Sequence, residues 1–282
     1  VWEWEHIELL EEAAARQGLP ENKLVPVHLK VDTGMARLGV ALADVAKLAR
    51  SLQSTRHVVL QGVFTHLASA EIVDAPDVEA QIGRFDEVVA TIAESGLAPS
   101  YFHMANSAAM ATRPRTWRNM VRPGIALYGY YLPFTSAEHG VPGAIPGLPV
   151  RPVLSWKTRV ISLRQVPARQ PVGYDGAYVT QAPARIAALP VGYADGLNRQ
   201  LSSRGHVIVH DELVPIVGNI SMDLTLVDVT HVRGVEVGDE VILLGESPHC
   251  RVTAQDHATW AHTIAYEILC GISKRVPRRY LE

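Results

Sequence analysis

Acid–base and charged side chains stand at the ends of strand-like runs in the first half of the sequence. His28 and Lys30 share one face of the segment HLKVDTGMARLG, because side chains alternate along a strand. His66 ends the run in GVFTHLASAE, and Arg122 lies within the apolar segment NMVRPGIALYG. Since the ends of parallel strands meet at one edge of a sheet, these side chains are candidates for a shared site.

Cations that point into a protein interior need partners. A buried Lys30 requires a partner, a lowered pKa or a chemical modification, and the alternative is an exposed strand end. A buried Arg122 is costly unless it is paired, and His66 or an electron-rich ligand atom would serve. His66 is otherwise an ordinary core histidine. Arg37 follows a turn and is either an anion donor or a solvated surface arginine.

The segment HMANSAAM has the composition of a turn from a strand into a helix. Asn106 and Ser107 stand where the helix would begin, and the ordinary role of either residue there is to cap it. Free amides at the same place attract phosphate, and Gly124 and Ile125 offer two further backbone amides. The sequence leaves both interpretations open, a helix cap and a phosphate site.

The second half of the sequence presents polar side chains on glycine-containing turns. Tyr174 lies in PVGYDGAY, Tyr193 in PVGYADG, and Met222 and Asp223 in GNISMDLT. Tyrosines in such positions more often pack than react. A tyrosine that acts as a base needs a neighbouring cation or a histidine network, because its ordinary pKa is about 10.

Strand-like runs alternate with amphipathic helical segments up to about residue 130. The predicted strands are Val25–Val31, Val58–Phe64, 100–104 and a fourth formed by Met120–Arg122 with Ile125–Tyr128. Such alternation predicts parallel pairing in an open sheet or a (β/α)8 barrel. No GxGxxG motif follows the first run, and the polar strand ends would converge at a barrel mouth, so a barrel is favoured.

The number of strand–helix units limits how much of a barrel the chain can form. A barrel needs eight units and the sequence contains four, so we expect the carboxyl-terminal half of a (β/α)8 barrel, with an amino-terminal portion missing. Residues 132–153 are rich in Pro and Gly and predict a linker. The predicted domains are therefore a partial barrel over residues 1–140 and a β domain over residues 141–282, an α/β plus all-β fold class.

Short β-branched runs separated by turn residues predict the β domain. These runs are Arg159–Leu163, Arg185–Val191, His206–His210, Val214–Val217, Leu224–Val229 and Glu240–Leu244. Near the end of the chain, Thr253 and Asp256 have the spacing of a capping box, which predicts a terminal helical segment.

Composition excludes several classes of protein. Of the 282 residues, 48% are hydrophobic and 20% are charged, which excludes a disordered or collagen-like chain. The net charge of -3 gives no general attraction to nucleic acid or to an anionic membrane. Cys250 and Cys270 are too few for a disulfide framework and fit a reducing compartment, so we expect a cytoplasmic protein.

The motifs together resemble those of the fold-type III, pyridoxal-phosphate-dependent alanine racemases, in order and over nearly the whole chain. The matching segments are HLKVDTGMARLG, FTHLASAE, FHMANSAA, NMVRPGIALYG, VGYDGAYV, PVGYADG, GNISMDLTLVDV and IAYE. The resemblance implies a barrel that carries pyridoxal 5'-phosphate, and a homodimer in which each active site is completed by the partner's β domain. It also implies interconversion of L- and D-alanine through an external aldimine by a two-base mechanism, which supplies D-alanine for peptidoglycan.

The same resemblance implies roles for individual residues. Tyr174 is similar to the base on the L-alanine side, supported by His66 and Arg122, and Arg122 to the arginine at the pyridine nitrogen. Lys30 is similar to a lysine that is carbamylated in many members. The implied cofactor-binding residues are Asn106, Ser107, Arg122, Gly124, Ile125 and Tyr266. The implied substrate-binding residues are Arg37, Met222, Asp223 and Tyr193.

The sequence departs from the family pattern at the cofactor lysine. The family places it after the first barrel strand in a motif of the AVVKANAYGHG type, and none of the five lysines, Lys23, Lys30, Lys47, Lys157 and Lys274, stands in such a motif. That lysine is also the base on the D-alanine side, so its absence agrees with the expectation of a missing amino-terminal segment. Asp175, Asn219 and Ser221 are smaller departures.

Two alternatives to a racemase remain open at the level of sequence. One is a metal-dependent barrel hydrolase, in which a carbamylated Lys30 bridges metal ions with His28, His66 and His103. It lacks an HxH pair on an early strand. The other is a non-catalytic fragment whose β domain binds a partner, which leaves the cofactor-contact residues without a purpose.

Overall fold

The computed structural model describes residues 1–20, 22–136 and 149–281. The chain divides into two compact units: unit 1 comprises Val1–Leu127 and Tyr131–Pro149, and unit 2 comprises Tyr128–Tyr130 and Val150–Glu282. The predicted boundary between residues 140 and 141 lies outside the described residues. No helix in the described part of the chain has both the length and the apolar composition needed to cross a bilayer.

Unit 1 alternates helices and strands as the hydrophobic pattern predicts. Its elements are α1 (Trp4–Arg16), β1 (Val25–Lys30), α2 (Val45–Leu52), β2 (Val58–Phe64), α3 (Pro76–Glu94), β3 (Tyr101–His103) and α4 (Ser107–Thr112), with short 3-10 turns at Leu42–Asp44, Pro114–Thr116 and Ile125–Tyr128. The apolar faces of α2 and α3 are buried in one core with the inward side chains of β1 and β2. Burial of these faces drives the packing of helices onto the sheet.

The three strands of unit 1 form a parallel sheet in the order β1-β2-β3. Lys30 at the end of β1 pairs with Phe64 at the end of β2, and Phe64 pairs with His103 at the end of β3. The carboxyl ends of the strands are therefore level. The register brings the polar residues that follow each strand to one edge, as the sequence predicts.

The prediction of a fourth strand is wrong. Met120–Arg122 is irregular and Ile125–Tyr128 is a 3-10 turn. Arg122 makes a backbone hydrogen bond from its amide to the carbonyl of Ala105, and Pro123 has no amide with which to continue a ladder. The segment therefore runs beside the end of β3 without joining the sheet.

Unit 2 is built mainly of short antiparallel strands. They are β4 (Trp156–Arg159), β5 (Ser162–Val166), β6 (Pro171–Val172), β7 (Tyr178–Val179), β8 (Ala184–Leu189), β9 (His206–Val209), β10 (Glu212–Pro215), β11 (Thr225–Asp228), β12 (Glu240–Glu246) and β13 (Arg251–Val252). One sheet has the order β10-β9-β12-β13 with β4 also paired to β12, a second has the order β11-β8-β5, and β6 pairs with β7. The prediction of a β-rich second half is confirmed.

Two features of unit 2 qualify the sequence prediction. The predicted run Arg159–Leu163 is two strands, because Val160 is buried at the point where the chain leaves one sheet and enters the other. Helices α5 (Ala254–Trp260) and α6 (Ala265–Gly271) end the unit. The predicted capping box is present, since Thr253 Oγ1 accepts from the Asp256 amide at 3.1 Å and Asp256 Oδ2 accepts from the Thr253 amide at 2.8 Å.

Candidate active site

The predicted site residues fall into two groups, one in each unit. Unit 1 holds Lys30, Arg37, His66, Asn106, Ser107, Arg122, Gly124 and Ile125, whereas unit 2 holds Tyr174, Tyr193, Met222, Asp223 and Tyr266. Each group is described within its own unit. The predicted association of Tyr266 with the phosphate-binding residues and of Tyr174 with Arg122 joins the two units, and it remains a prediction.

Arg122 is the centre of the group in unit 1. Its Nη1 donates to Nδ1 of His103 at 2.7 Å, and its Nη2 donates to the carbonyl of Thr65 at 2.9 Å and lies 3.4 Å from Nδ1 of His66. Sequence reasoning paired this arginine with His66. The structure gives the shorter contact to His103, the last residue of β3.

A second histidine stands behind His103. His28 Nδ1 lies 2.7 Å from His103 Nε2. Because Arg122 can only donate, neutral His103 carries its proton on Nε2 and donates to His28. Gly62 makes room for this arrangement, since a Cβ there would lie 2.6 Å from the His28 ring. A relay of three side chains thus orients the guanidinium.

The histidines beside Arg122 are held neutral. Burial, followed by repulsion from Arg122, lowers the pKa of His103 to about 3, with His28 adding to the effect. Burial and the charges of Arg122, Arg37 and Lys30 lower the pKa of His66 to about 4. At neutral pH both rings are therefore uncharged, and each can accept a hydrogen bond from the arginine.

Lys30 is the buried cation that the sequence left unexplained. It is only 9% exposed, and no described residue forms a hydrogen bond with its ammonium group. Burial, followed by repulsion from Arg37 and Arg122, lowers its pKa. Asp32 does not neutralise it by contact, because Asp32 Oδ1 accepts from the amides of Gly34, Met35 and Ala36. An anion at this place would relieve the repulsion.

A buried glutamine fixes the loops that follow β1 and β2. Gln81 on α3 is 1% exposed; its Nε2 donates to the Thr33 hydroxyl at 3.1 Å and to the His66 carbonyl at 2.9 Å. Its Oε1 accepts from the Ala68 amide at 2.9 Å. Sequence reasoning missed Gln81, although a glutamine on the apolar face of a predicted helix is a signal that could have found it.

The segment around Ser107 forms the predicted helix cap, and the phosphate site remains a prediction. Asn106 caps α4 by accepting from the Ala109 amide at 2.9 Å. The Ser107 hydroxyl accepts from the amides of Gly124 at 2.9 Å and Ala126 at 3.3 Å. The hydroxyl proton of Ser107 is therefore directed to another acceptor, and the Ile125 amide donates to no described residue.

Four residues of the group in unit 2 line a depression of about 550 Å³, and Tyr266 is not among them. Tyr174, Tyr193, Met222 and Asp223 all face it, and Tyr174 is 69% exposed. The side-chain amide of Asn219 donates to the Tyr174 carbonyl at 3.3 Å and to the Asp175 carboxylate at 3.4 Å. Two of the departures from the family pattern thus contact each other beside the tyrosine.

The metal-ligand arrangement of the hydrolase alternative does not form. His28 and His103 contact each other, and His66 lies beside the other terminal nitrogen of Arg122. Among the described residues, no group of three or more His, Cys, Asp or Glu side chains is arranged to hold a metal ion.

Comparison with known proteins agrees with this combination of an α/β unit and a β domain. The sequence model of the alanine racemase N-terminal domain matches residues 1–132, and that of the alanine racemase C-terminal domain matches residues 153–280. Alanine racemase 2 of Caldanaerobacter subterraneus subsp. tengcongensis is 39% identical over 98% of this chain and 68% of its own length. Alanine racemase of Symbiobacterium thermophilum is 42% identical over 96% of this chain and 70% of its own length.

Solved structures give the same result. The crystal structure of alanine racemase from D-cycloserine producing Streptomyces lavendulae has a TM-score of 0.89 and 36% identity, covering 100% of this chain and 72% of that chain. The fold defines the class, a barrel domain followed by a β domain, and the predicted fold class is confirmed. The chain belongs to the alanine racemase family. The chain spans 68 to 72% of the length of these relatives, and the expectation of a missing amino-terminal segment stays a prediction.

Proposed function

We propose that this chain is an alanine racemase that interconverts L- and D-alanine with pyridoxal 5'-phosphate as cofactor. The observation that carries the proposal is the edge of the unit 1 sheet, where the charges of Arg37 and Arg122 act on Lys30. We propose that these cations and the segment around Ser107 together bind anions. Relatives about 40% identical over nearly the whole chain are named alanine racemase. One solved relative, from Bartonella henselae, is described with covalently bound pyridoxal phosphate, at 31% identity and a TM-score of 0.80.

The residues present fit the cofactor. The proton of the Ser107 hydroxyl and the free Ile125 amide suit a phosphate oxygen, with Gly124 in contact with Ser107 and Asn106 capping the adjacent helix. Arg122, oriented by His103, would donate to the pyridine nitrogen. Because an arginine keeps its proton, that nitrogen stays unprotonated. Bound pyridoxal phosphate supplies an electron sink that makes the proton on the α-carbon of the amino acid acidic.

Tyr174 would move the proton on the L-alanine face. A tyrosine needs nearby positive charge to act as a base, and we propose that Arg122 and neutral His66 supply this environment when Tyr174 enters from a partner subunit. The opposite face requires a lysine in the family's AVVKANAYGHG-type motif. None of the five lysines of this sequence has that context.

Arg37 would bind the substrate carboxylate, and Lys30 would position Arg37. The lowered pKa of Lys30 favours the neutral amine, whose nitrogen can attack carbon dioxide and lose a proton to form a carbamate anion. This anion would pair with Arg37 and hold it towards the substrate. Carbon NMR of protein equilibrated with isotopically labelled carbon dioxide should show a carbamate signal that Lys30→Met abolishes.

A homodimer would complete the site. Tyr193, Met222 and Asp223 line one depression in unit 2, and we infer that this depression covers the substrate bound to the partner's unit 1. Tyr266 would join the phosphate contacts. The partial barrel over residues 1–140, the β domain over residues 141–282 and a cytoplasmic location, where D-alanine serves peptidoglycan synthesis, belong to the same proposal.

The test combines spectroscopy with turnover. Protein that contains this chain together with a lysine in the AVVKANAYGHG-type context, given added pyridoxal phosphate, should gain a visible cofactor absorption band and convert L-alanine to D-alanine, measured by chiral chromatography. Bound cofactor without turnover would contradict the racemase assignment, and the absence of both would contradict the cofactor site as well. Metal analysis of the same sample tests the hydrolase alternative.

A further inference from the structure

Arg275 connects two of the loops that line the depression in unit 2. Its Nη2 donates to Asp223 Oδ1 at 2.7 Å, and its Nε lies 3.3 Å from Asp195 Oδ1. Asp223 belongs to the loop of Met222, and Asp195 belongs to the loop of Tyr193. In the part of the chain that the structure describes, Asp223 has no other side-chain partner.

The segment that carries Arg275 is itself fixed to the second loop. After α6, the Ser273 amide donates to the Asp195 carbonyl at 2.9 Å. Arg278 donates to three carbonyls of the same segment, those of Ile272, Ser273 and Val276, at 2.7 to 2.8 Å. Arg275 is therefore presented to the depression from a fixed backbone.

The two loops are already paired through their backbones. The Tyr193 amide donates to the Ser221 carbonyl at 3.1 Å, and the Ala194 amide donates to the Met222 carbonyl at 3.0 Å. Gly192 permits this approach, since a Cβ there would lie 2.3 Å from both carbonyl oxygens. The backbones are thus held without Arg275, and what the arginine adds is the position and the charge balance of the Asp223 carboxylate.

We propose that Arg275 is a positioning residue for the substrate pocket: held against Asp195, it fixes the Asp223 carboxylate and offsets its negative charge where an amino-acid carboxylate must pass. This inference rests on the proposed function. Loss of Arg275 leaves the Asp223 carboxylate without its partner in the depression, which repels an anionic group more strongly at low ionic strength.

The experiment measures steady-state racemisation by the holoenzyme. Arg275→Met should raise KM for L-alanine about three- to fivefold, as expected for an exposed ion pair, and leave kcat within about twofold. The increase should shrink in high salt because the effect is electrostatic. Arg275→Lys should recover part of the loss. In an Asp223→Asn background, Arg275→Met should have little further effect, because the carboxylate it offsets is gone.

Arg279→Met is the matched control, since it removes one exposed positive charge four residues away that has no described partner. Equal KM values for the Arg275→Met and Arg279→Met proteins would overturn the inference. A parallel fall in melting temperature and kcat that Arg275→Lys does not rescue would also overturn it, because it would show a purely structural role. If the wild-type protein has no racemase activity, the proposed function fails first.

Discussion

The two groups of site residues differ in how they are held. In unit 1, Arg122 contacts two histidines and donates to a backbone carbonyl. The buried Gln81 hydrogen-bonds to both adjoining loops. In unit 2, Tyr174 and Met222 are 69% and 53% exposed, and their loops are held mainly through the backbone. The first group is preorganised by burial, whereas the second depends on paired loops at a surface.

This difference predicts how mutations act. A change in the buried group should disturb stability and chemistry together, because each side chain there satisfies another buried polar group. A change in the exposed group should alter activity and leave the free energy of unfolding almost unchanged. Four variants test whether the buried and exposed groups differ in this way, from the largest expected effect to the smallest.

Tyr174→Phe should lower kcat by roughly a thousandfold, because it removes a positioned acid–base group. The free energy of unfolding should change by less than about 0.5 kcal/mol, since the hydroxyl has no described partner and the residue is exposed. Tyr178→Phe is the matched control, because its hydroxyl contacts only Asp228. Similar kcat values for the two variants would contradict the assignment of Tyr174 as the acid–base group.

Arg122→Met should lower kcat on the order of a hundredfold by removing the donor expected at the cofactor's pyridine nitrogen. It should also lower the free energy of unfolding by about 1 to 3 kcal/mol, because the carbonyl of Thr65 and the ring of His103 lose their partner. Urea denaturation measures the second effect. Unchanged stability would show that this group is no more preorganised than the exposed one.

The core of unit 2 should be sensitive to acid. His257 is 1% exposed, its Nε2 has no hydrogen-bond partner among the described residues, and burial lowers its pKa to about 4 despite the nearby charge of Asp256. The unfolded state therefore binds more protons as pH falls from 6.5 towards 4, and stability is lost in that window. Between pH 7 and pH 5 the loss from this histidine is about 2 kcal/mol.

His257→Asn isolates this contribution, because the neutral histidines of unit 1 remain and contribute in the same direction. Urea denaturation at pH 7 and pH 5 should show a smaller difference for the variant than for the wild type. Identical differences would mean that His257 is not protonated on unfolding in this range.

Gly62→Ala should have the smallest effect of the four. The added methyl group would lie 2.6 Å from the His28 ring, so the ring must move away from His103, at a cost of about 1 to 2 kcal/mol. Gly83→Ala is the control, since a Cβ at this position in α3 meets nothing within 4 Å and alanine favours a helix. If both variants are equally stable, the relay behind Arg122 does not depend on the space at Gly62.

The sequence was informative where a pattern is local. The strand–helix alternation, the capping box at Thr253 and the glycine-containing turns around Tyr174 and Met222 were all visible from the residues alone. Their prediction rests on periodicity and on turn chemistry, which act over a few residues. The resemblance of eight motifs to one family then supplied candidate roles that no local pattern contains.

Contacts between distant residues could not be predicted in this way. Arg122 meets His103 because the register of the strands places the end of β3 there. Gln81 reaches the His66 carbonyl because α3 packs against the loops that follow the strands. The predicted fourth strand failed for the same reason, because apolar composition alone does not show whether backbone amides find partners.

The sequence by itself determined the set of chemical groups, the elements that carry them and the family to which the motifs belong. Only the tertiary structure decided which groups meet. It paired Arg122 with His103 and His28, brought Lys30 near the charges of Arg37 and Arg122, and linked Arg275 to Asp195 and Asp223. The physical reason is that hydrogen bonds and charge interactions act over a few ångströms in space, and folding alone brings residues far apart in sequence to that distance.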